Sequence, residues 1–404
     1  MVIKELSKYE FNEFAKKWPY TPYHTIEYAD TMEEEGYKYL TLGLYDNETL
    51  KAASIIMYKN VKNFKYAYVS RGYLIDYTNY DLLNTFTLEL KKYLSSKGII
   101  AIKINPLVVK NIYDSNYNLV SSNPDYNTIF NNLINTGYKH MGYNDSFEGI
   151  RPRHEAIINI GKDYFTLFGL MHKNFRTKVR AAEASGIRIY KGNKEDLKYL
   201  YDEAKGKYPR GFNYYEKLYD NFGDNIEIYY AKIDFDVYLK KNQADFLDAS
   251  EESETINKEI LSVKNNKKLL NKKMVLDKTL NASKAKLSNA IDLMAKHPEG
   301  RIIATLLITK NNNIVNVMID AFDKGYTSFN AKHLIIWKLM EKYSKEGYKY
   351  FNLGGIASDN SEKYAGLNDY KLGFGAQVYE YIGDFEYVIN KPLYLIYKNT
   401  LFKK

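Results

Sequence analysis

Two basic segments of this sequence carry residue types that bind phosphate groups. Residues 172–180 begin a basic helix, on which Arg176 and Arg180 share a face. Residues 208–215 place Arg210 in a Pro/Gly loop, with Tyr214 four positions later. A guanidinium can hold a phosphate with two hydrogen bonds, and an aromatic ring can stack on a base or a sugar. Phosphate contact is therefore one interpretation, with a solvated helix and an ordinary loop with a core Tyr as the alternatives.

A third segment, residues 364–375, combines an aromatic–Lys pair, Tyr370 and Lys371, with Phe374 between two glycines. Glycines placed in this way indicate a backbone that turns tightly or comes close to another group. The alternative is a β-bulge with a core Phe, and composition alone does not decide between the two.

The usual catalytic motifs are absent from the sequence. It contains no P-loop, no G-x-G-x-x-G, no H-E-x-x-H and no G-x-S-x-G. There is no Cys, and the six His are scattered without metal-ligand spacing, so we expect neither a metal nor a cofactor. The missing nucleophile motif favours chemistry on an already activated substrate, where positioning does most of the catalysis.

Length and charge narrow the class of protein further. The 404 residues suggest two or three domains with a globular composition. The net charge of +9 permits an anionic partner, such as RNA, a nucleotide phosphate or an anionic membrane face, without requiring one. No apolar stretch resembles a signal peptide or approaches the ~20 residues of a membrane-spanning helix. We therefore expect a cytoplasmic protein.

The elements that must position these residues occur twice in a similar order. Helix–strand units paired with hairpins indicate an α/β (α+β) fold of two similar lobes. We place the first lobe at residues 1–145 and the second at residues 146–238 and 299–404. Within the first lobe, the pattern predicts a short helix at residues 3–17, a turn between two strands at residues 46–48 and a loop at residues 111–128.

Residues 239–298 interrupt the second lobe. Apolar residues follow a 3–4 spacing in two phases, which break near Asn265 and Asn266, as an antiparallel coiled-coil helical hairpin requires. Nine Lys lie between Lys258 and Lys286. This arm presents either a solvated polar face or a surface for tRNA or membrane lipid. It also permits a homodimer, or a heterodimer with a sister protein.

Four segments together resemble the Fem family of non-ribosomal, aminoacyl-tRNA-dependent peptidyltransferases, which includes the FemA, FemB, FemX and MurM types. They are residues 68–77, 175–186, 351–385 and 390–394. The resemblance runs nearly end to end and implies two GNAT-like lobes with a coiled-coil arm. It also implies that an amino acid moves from aminoacyl-tRNA to an amine of a peptidoglycan precursor, whose carrier is lipid-linked or UDP-linked. The transferred residue is Gly, Ala or Ser.

Site residues follow from the resemblance one at a time. Arg210 and Tyr214 match the pair that holds the precursor's phosphates and sugar-peptide, and Arg71 matches a motif residue near the substrate. Tyr370 and Lys371 match the pair at the tRNA acceptor end, and Lys371 is a possible catalytic residue. Three further residues are assigned to tRNA binding on the same basis: Phe374, Arg176 and Arg180.

The sequence departs from the family pattern at two positions that matter. Asn105 stands where members often have an Asp considered for catalysis, and Met32 stands where a phosphate-contacting Lys is expected. These changes imply a different acceptor, a different bridge position or lost activity. Two other functions stay open. One is a CoA-dependent acyltransferase, although residues 326–331 lack its Gly-rich loop; the other is a non-catalytic protein that binds tRNA or the precursor.

Overall fold

The computed structural model describes residues 1–207, 209–262, 266–311 and 313–402. The first 140 residues form these elements in chain order: β1 (Val2–Glu5), α1 (Lys8–Ala15), α2 (Ile26–Met32), β2 (Lys38–Asp46), β3 (Thr49–Val61), β4 (Phe64–Val69), α3 (Tyr80–Ser96), β5 (Ile99–Ile104), β6 (Val109–Tyr113), β7 (Leu119–Ser122), α4 (Tyr126–Thr136) and β8 (Lys139–His140).

The remaining residues continue the alternation of helices and strands. Their elements are β9 (His154–Asn159), α5 (Tyr164–Leu170), α6 (Lys173–Ala184), β10 (Ile187–Lys191), α7 (Leu197–Ala204), α8 (Phe212–Phe222), β11 (Ile226–Ile233), α9 (Phe235–Ser262), α10 (Lys267–Lys296), β12 (Arg301–Asn311), β13 (Ile314–Phe322), α11 (Ala331–Lys345), β14 (Tyr350–Ile356), α12 (Ala365–Leu372), β15 (Gln377–Tyr381), β16 (Phe385–Val388) and α13 (Lys391–Phe402).

The described strands form two sheets, and the first five strands of each sheet share one topology. The first has the order β1-β2-β3-β4-β5-β16-β8, and the second has the order β10-β11-β12-β13-β14-β9-β15-β6-β7. In each sheet the first four strands of the order are antiparallel, and the fifth is parallel to the fourth. Each lobe therefore repeats a β-α-α-β-β-β-α-β unit, which confirms the prediction of two GNAT-like α/β lobes.

The two sheets exchange strands across the predicted lobe limits. β6 and β7 come from the first 145 residues, but β6 pairs with β15 in the second sheet. Conversely, β16 lies near the carboxyl end and pairs with β5 and β8 in the first sheet. The boundaries at residues 145 and 146 remain a prediction, and the exchange ties the lobes together.

The helical arm lies between β11 and β12. Its two helices, α9 and α10, have 28 and 30 residues and pack against each other through small and apolar side chains, including Ala249, Ile256 and Ala290. Asn266 begins α10 by accepting hydrogen bonds from the backbone N–H groups of Lys268 and Leu269. The predicted break at Asn265 lies outside the described residues. The corresponding β2–β3 connection in the first lobe is the short turn at Asn47, as predicted.

Equivalent helices of the two lobes, α2 and α8, pack against each other and fix the lobes in place. Thr25 caps α2 by accepting the backbone N–H of Tyr28. Asn221 of α8 donates to the hydroxyl of Thr31 at 3.0 Å. A continuous hydrophobic cluster, including Phe11 and Tyr215, crosses from one lobe to the other. Among the described residues, no helix combines the length and apolar character needed to cross a membrane.

Candidate functional site

Two adjoining cavities lie where the lobes meet. The first, of about 430 Å³, belongs to the first lobe and includes His24 and Arg71 in its wall. The second, of about 250 Å³, is walled by both lobes and includes Tyr23, Glu155 and Asn352. Both cavities share Pro19, Thr21 and Leu107. Together they provide a concave, mostly apolar space with a few polar groups, as binding sites commonly do.

Arg71 connects the two cavities through an ion pair. It follows β4 with a φ of 65°, in the left-handed region that non-glycine residues seldom occupy. One guanidinium nitrogen pairs with Glu155, and another donates to Asn105 at 3.1 Å. The guanidinium also lies 4.4 Å from the ring centre of Tyr381. The carboxylate of Glu155 accepts further hydrogen bonds from Asn352 at 3.0 Å and from Tyr381 at 3.1 Å.

This strained turn needs a glycine beside Arg71. Gly72 has a φ of 74°, and a Cβ atom there would lie 2.6 Å from the Tyr77 hydroxyl and 2.7 Å from the backbone of Pro106. Strain of this kind persists only where the surroundings hold the backbone firmly. The structure thus places Arg71 at the cavity wall, with its charge already paired with Glu155, and its contribution to substrate binding stays a prediction.

Asn105, at the position of the family's Asp, is a buried connector. Its side chain is 1% exposed. The amide oxygen accepts from Arg71, and the amide nitrogen donates to Asp384 at 2.7 Å. Asp384 also pairs with Lys103 at 2.9 Å. Because both ends of the amide are engaged and an amide is not a base, Asn105 is not a proton acceptor here.

A second cluster combines two arginines with three tyrosines where α2 meets α8. Arg210 lies 4.0 Å from the ring centre of Tyr214 on α8. Arg151, from the segment before β9, lies 3.6 Å from the ring centre of Tyr23 and donates to the Tyr28 hydroxyl. Burial and the charge of Arg151 lower the pKa of Arg210, but its other neighbours raise that pKa overall. The two guanidinium groups are therefore close enough to repel each other. Burial raises the pKa of Tyr214, so this ring stays neutral.

Neither arginine of this cluster has a carboxylate partner among the described residues. No ion pair joins Arg151 or Arg210 to any Asp or Glu in that part of the chain. The Nε atom of Arg151 is buried without a hydrogen-bond partner. Met32, at the position where the family resemblance predicts a Lys, is buried on α2 and brings no charge. A pair of unneutralised guanidinium groups is suited to bind an anion.

Lys371 lies in the last turn of α12, close to the second lobe's parallel strands. Its Nζ donates to the carbonyl of Gly355 at 2.8 Å. Burial lowers its pKa to about 8; the nearby Asp320 and Glu155 favour the cation, while Lys207 and Lys332 oppose it. A Lys with a pKa of about 8 exchanges a proton easily at neutral pH, as a general base or acid requires.

The neighbours of Lys371 form an aromatic cluster. Tyr370 is half-buried, donates to the carbonyl of Lys332 at 3.2 Å and lies 4.0 Å from the ammonium of that Lys. Phe374 is fully buried, with its ring centre 5.1 Å from that of Phe175. Phe374 presents no surface to a ligand, so its predicted contribution to tRNA binding is restricted to support of Tyr370.

The basic helix α6 carries the other two predicted tRNA contacts. Arg176 donates to the carbonyls of Gly169 and Met171, which end α5. Arg180 is exposed and lies 5.2 Å from the ring centre of Phe168. Arg176 is therefore partly occupied by a structural role, whereas Arg180 is open to a ligand.

Sequence reasoning missed Arg151 and Glu155, which join the predicted residues at the site. Arg151 begins the motif Arg151-Pro152-Arg153, in which a proline between two arginines precedes a strand, and Glu155 follows the motif by two positions. Such a rigid basic segment was the available signal. Among the described residues, no group of three or more His, Asp or Glu is arranged to hold a metal ion.

The chain is similar to known proteins over nearly its whole length. Residues 6–403 match the sequence profile described as the FemAB family. Aminoacyltransferase FemA of Staphylococcus epidermidis is 27% identical over 415 residues, covering 98% of each chain. Aminoacyltransferase FemA of Staphylococcus aureus is 25% identical over 429 residues, covering 100% of this chain and 99% of FemA.

A solved structure supports the fold. The crystal structure of FemX superposes with a TM-score of 0.74 and 23% sequence identity, covering 98% of this chain and 99% of FemX. The two lobes, the exchanged strands and the arm thus belong to one architecture. With a profile match that spans nearly its whole length, the chain belongs to the FemAB family.

Proposed function

We propose that this chain is an aminoacyltransferase that moves an amino acid from aminoacyl-tRNA to an amine of a peptidoglycan precursor, building the interpeptide bridge. Family membership and end-to-end similarity to proteins named aminoacyltransferase FemA support a transferase of this kind. The donor (Gly-, Ala- or Ser-tRNA) and the carrier of the acceptor (a lipid or UDP) are part of the proposal.

The match of residues 6–403 to the FemAB family carries the proposal, and Lys371, whose Nζ donates to the carbonyl of Gly355 at 2.8 Å and whose pKa burial lowers to about 8, is the group that we assign to proton transfer. The amine attacks the ester carbonyl of the aminoacyl-tRNA, and a C–N bond forms as the C–O bond to the terminal ribose breaks. The amine loses a proton, and the ribose oxygen takes one up. Lys371 accepts the first proton and returns it to the leaving oxygen, so no covalent enzyme intermediate is needed.

The remaining residues position the two substrates. Arg210 and Tyr214 hold the phosphates and sugar-peptide of the precursor, with Arg71 fixing Glu155 at the cavity wall. Tyr370, Arg176 and Arg180 contact the tRNA, and Phe374 supports Tyr370 from the core. Asn105 is not an argument that the protein is non-catalytic. Both ends of its amide are bound to protein groups, Arg71 and Asp384, so the side chain does not stand in the place of a free base.

The proposal extends to location and partners. We place the chain on the cytoplasmic side, where charged tRNA is available, with peripheral membrane contact if the acceptor is lipid-linked. A homodimer or a heterodimer with a sister transferase would use the arm, which exposes apolar side chains including Leu261 and Val275. Replacing both by polar residues and measuring the mass in solution tests this assembly.

A transfer assay tests the function. Purified protein is offered Gly-, Ala- and Ser-tRNA separately, against the UDP-linked and the lipid-linked pentapeptide, and products are identified by mass spectrometry. We expect a single defined mass gain that disappears with Lys371→Ala and with Arg210→Ala. Absence of product from every pair, including pairs with a pre-extended bridge, would contradict the proposal.

A further inference from the structure

We propose that Arg151 is a second phosphate-binding residue, which together with Arg210 holds the diphosphate of the acceptor. The inference rests on the proposed function for the identity of that acceptor. Arg151 comes from the segment that links the lobes, whereas Arg210 comes from the loop before α8. The ligand is accordingly held from two separate parts of the chain.

Neighbouring side chains hold the Arg151 guanidinium in a fixed orientation before any ligand binds. Its plane is held by the Tyr23 ring, 3.6 Å away, and by the Tyr28 hydroxyl, to which one terminal nitrogen donates. Its Nε atom is buried and has no hydrogen-bond partner. A buried donor without a partner destabilises a fold, so such a group usually awaits a ligand or water.

The balance of charge points in the same direction. Arg151 and Arg210 repel each other, and the described residues place no carboxylate in contact with either one. Glu35 is the acid whose field reaches Arg210, but it forms no ion pair with that residue. Arg153, two positions after Arg151, is by contrast paired with Glu380. An anion with two charges would neutralise the Arg151–Arg210 pair.

A diphosphate meets these requirements better than a carboxylate. It offers oxygens on two phosphorus atoms, so each planar guanidinium can bind its own phosphate with two hydrogen bonds. Tyr23 belongs both to this cluster and to the wall of the 250 Å³ cavity. A sugar-peptide attached to the diphosphate would therefore extend from the two arginines into the cavity between the lobes.

The test measures binding by calorimetry for wild type, Arg151→Met, Arg151→Lys and the control Arg188→Met, which alters an exposed arginine of β10. The probes are the UDP-linked pentapeptide, the lipid-linked pentapeptide in detergent, and the sugar-pentapeptide without phosphate. We expect Arg151→Met to weaken binding of the diphosphate probe about 10- to 100-fold, with Arg151→Lys intermediate. Binding of the phosphate-free probe and the KM for aminoacyl-tRNA should stay unchanged, as should all values for Arg188→Met.

A purely structural role predicts a different result. If Arg151 serves the ligand, ligand-free Arg151→Met keeps its Tm within a few degrees, but loses the rise in Tm that the diphosphate probe produces. Equal affinity of Arg151→Met and wild type for both diphosphate probes overturns the inference, as does equal weakening of all three probes. If wild type binds the diphosphate probe, Arg151→Met loses that binding and wild type still transfers nothing, the proposed function is rejected while the inference stands. The probe that shows the Arg151 effect identifies the carrier, nucleotide or lipid.

Discussion

Arg71 lies in the wall of the first cavity, and Arg151 lies against Tyr23 of the second cavity's wall, yet the charges of the two arginines are balanced in different ways. Both guanidinium groups lie against a tyrosine ring, at 4.4 Å from Tyr381 and 3.6 Å from Tyr23. They are also close in the fold, because Arg71 donates to the carbonyl of Pro152, the residue after Arg151. Among the residues that the structure describes, Glu155 pairs with Arg71 and no carboxylate pairs with Arg151.

The difference separates charges that build the fold from charges that are available to a ligand. Removing one member of a buried ion pair leaves the other charge uncompensated, so a paired residue should reveal itself in stability. Replacing a cation that has no carboxylate partner should change the stability of the ligand-free protein little. Its effect should instead be measured as weaker ligand binding or a lower transfer rate. Lys371 belongs to the second group, since its Nζ contacts a backbone carbonyl rather than a carboxylate.

The largest expected effect is on the transfer rate of Lys371→Met. If Lys371 carries the proton, the rate falls about 100- to 10,000-fold, the usual contribution of a general acid–base residue. The wild-type rate should rise with pH and level off above about 8, because the base must be neutral. Single-turnover measurements across pH 6–9 check both expectations.

Two further variants separate proton transfer from simple charge. Lys371→Arg keeps a cation that does not lose its proton, so it should be as slow as Lys371→Met. The matched control, Lys324→Met, removes an exposed lysine and should leave the rate unchanged. A fast Lys371→Arg would assign Lys371 to charge stabilisation instead of proton transfer.

The second-largest expected effect is on stability, when Arg71 of the Arg71–Glu155 ion pair is replaced. Arg71→Met leaves Glu155 buried and unpaired, and should lower the free energy of unfolding by about 3–5 kcal/mol. Adding Glu155→Gln should restore part of that loss, because no charge then remains unpaired. Urea unfolding measures both values.

A more exposed pair provides the control for Arg71. Arg301 pairs with Asp323 at 2.6 Å with 38% of its side chain exposed, so Arg301→Met should lower stability by only about 1 kcal/mol or less. Arg151→Met should likewise change little in the absence of ligand. Equal losses from Arg71→Met and Arg151→Met would remove the distinction between the two sites.

His24, in the wall of the first cavity, is a titratable group that differs from both arginines. No carboxylate in the described part of the chain pairs with it, and burial lowers its pKa to about 3, so it stays neutral while its Nε2 accepts the backbone N–H of Ile55. Since the unfolded chain binds a proton near pH 6.5 and the folded chain does not, stability is lost as pH falls below that value. At pH 4 the loss attributable to His24 is about 3 kcal/mol.

His24→Gln tests this account, because an amide oxygen can accept the same hydrogen bond without titrating. Unfolding free energies between pH 4 and pH 7 should depend less steeply on pH in the variant than in wild type. Some slope remains, because burial also lowers the pKa values of His154 and His333 to about 4. His172→Gln, at an exposed position, is the control and should keep the wild-type slope.

Local sequence pattern predicted the elements that depend on their own residues. The turn at Asn47 and the two arm helices follow from short-range signals, and the structure contains them. Residues 3–17 were wrongly predicted as one helix, because Val2–Glu5 instead pairs with β2 as strand β1. The predicted loop at residues 111–128 is also wrong: β6 forms there because β15, far along the chain, supplies its partner.

The candidate site shows the same limit. Residue types and spacing drew attention to Arg210, Tyr214 and Lys371, family resemblance suggested their roles, and the structure places them in enclosed surroundings with other cations nearby. The ion pair between Arg71 and Glu155 could not be predicted in this way, because 84 positions separate the two residues in the chain. No local pattern shows which arginine meets a carboxylate and which does not. The distinction between Arg71 and Arg151 is therefore available only from tertiary structure.

The smallest expected effect comes from Asn105→Asp, which restores the acid that the family resemblance predicts. In wild type the Asn105 amide donates to Asp384 at 2.7 Å, so the variant sets two carboxylates against each other. Arg71 and Lys103 offset part of the repulsion, and we expect a loss of about 1–3 kcal/mol at pH 7 in urea unfolding.

The pH dependence and a matched control make this last change decisive. Repulsion raises the folded-state pKa of one carboxyl above its unfolded value, so the penalty is present at neutral pH and shrinks as pH falls toward 4. Asn118 donates to Asp114 at 2.9 Å in the same way but is exposed, so Asn118→Asp should lower stability by less than about 1 kcal/mol. The transfer rate of Asn105→Asp should not rise, because the new carboxylate is held by Arg71. A tenfold faster variant would show that a base is missing at this position, and would transfer the catalytic role from Lys371 to the first lobe.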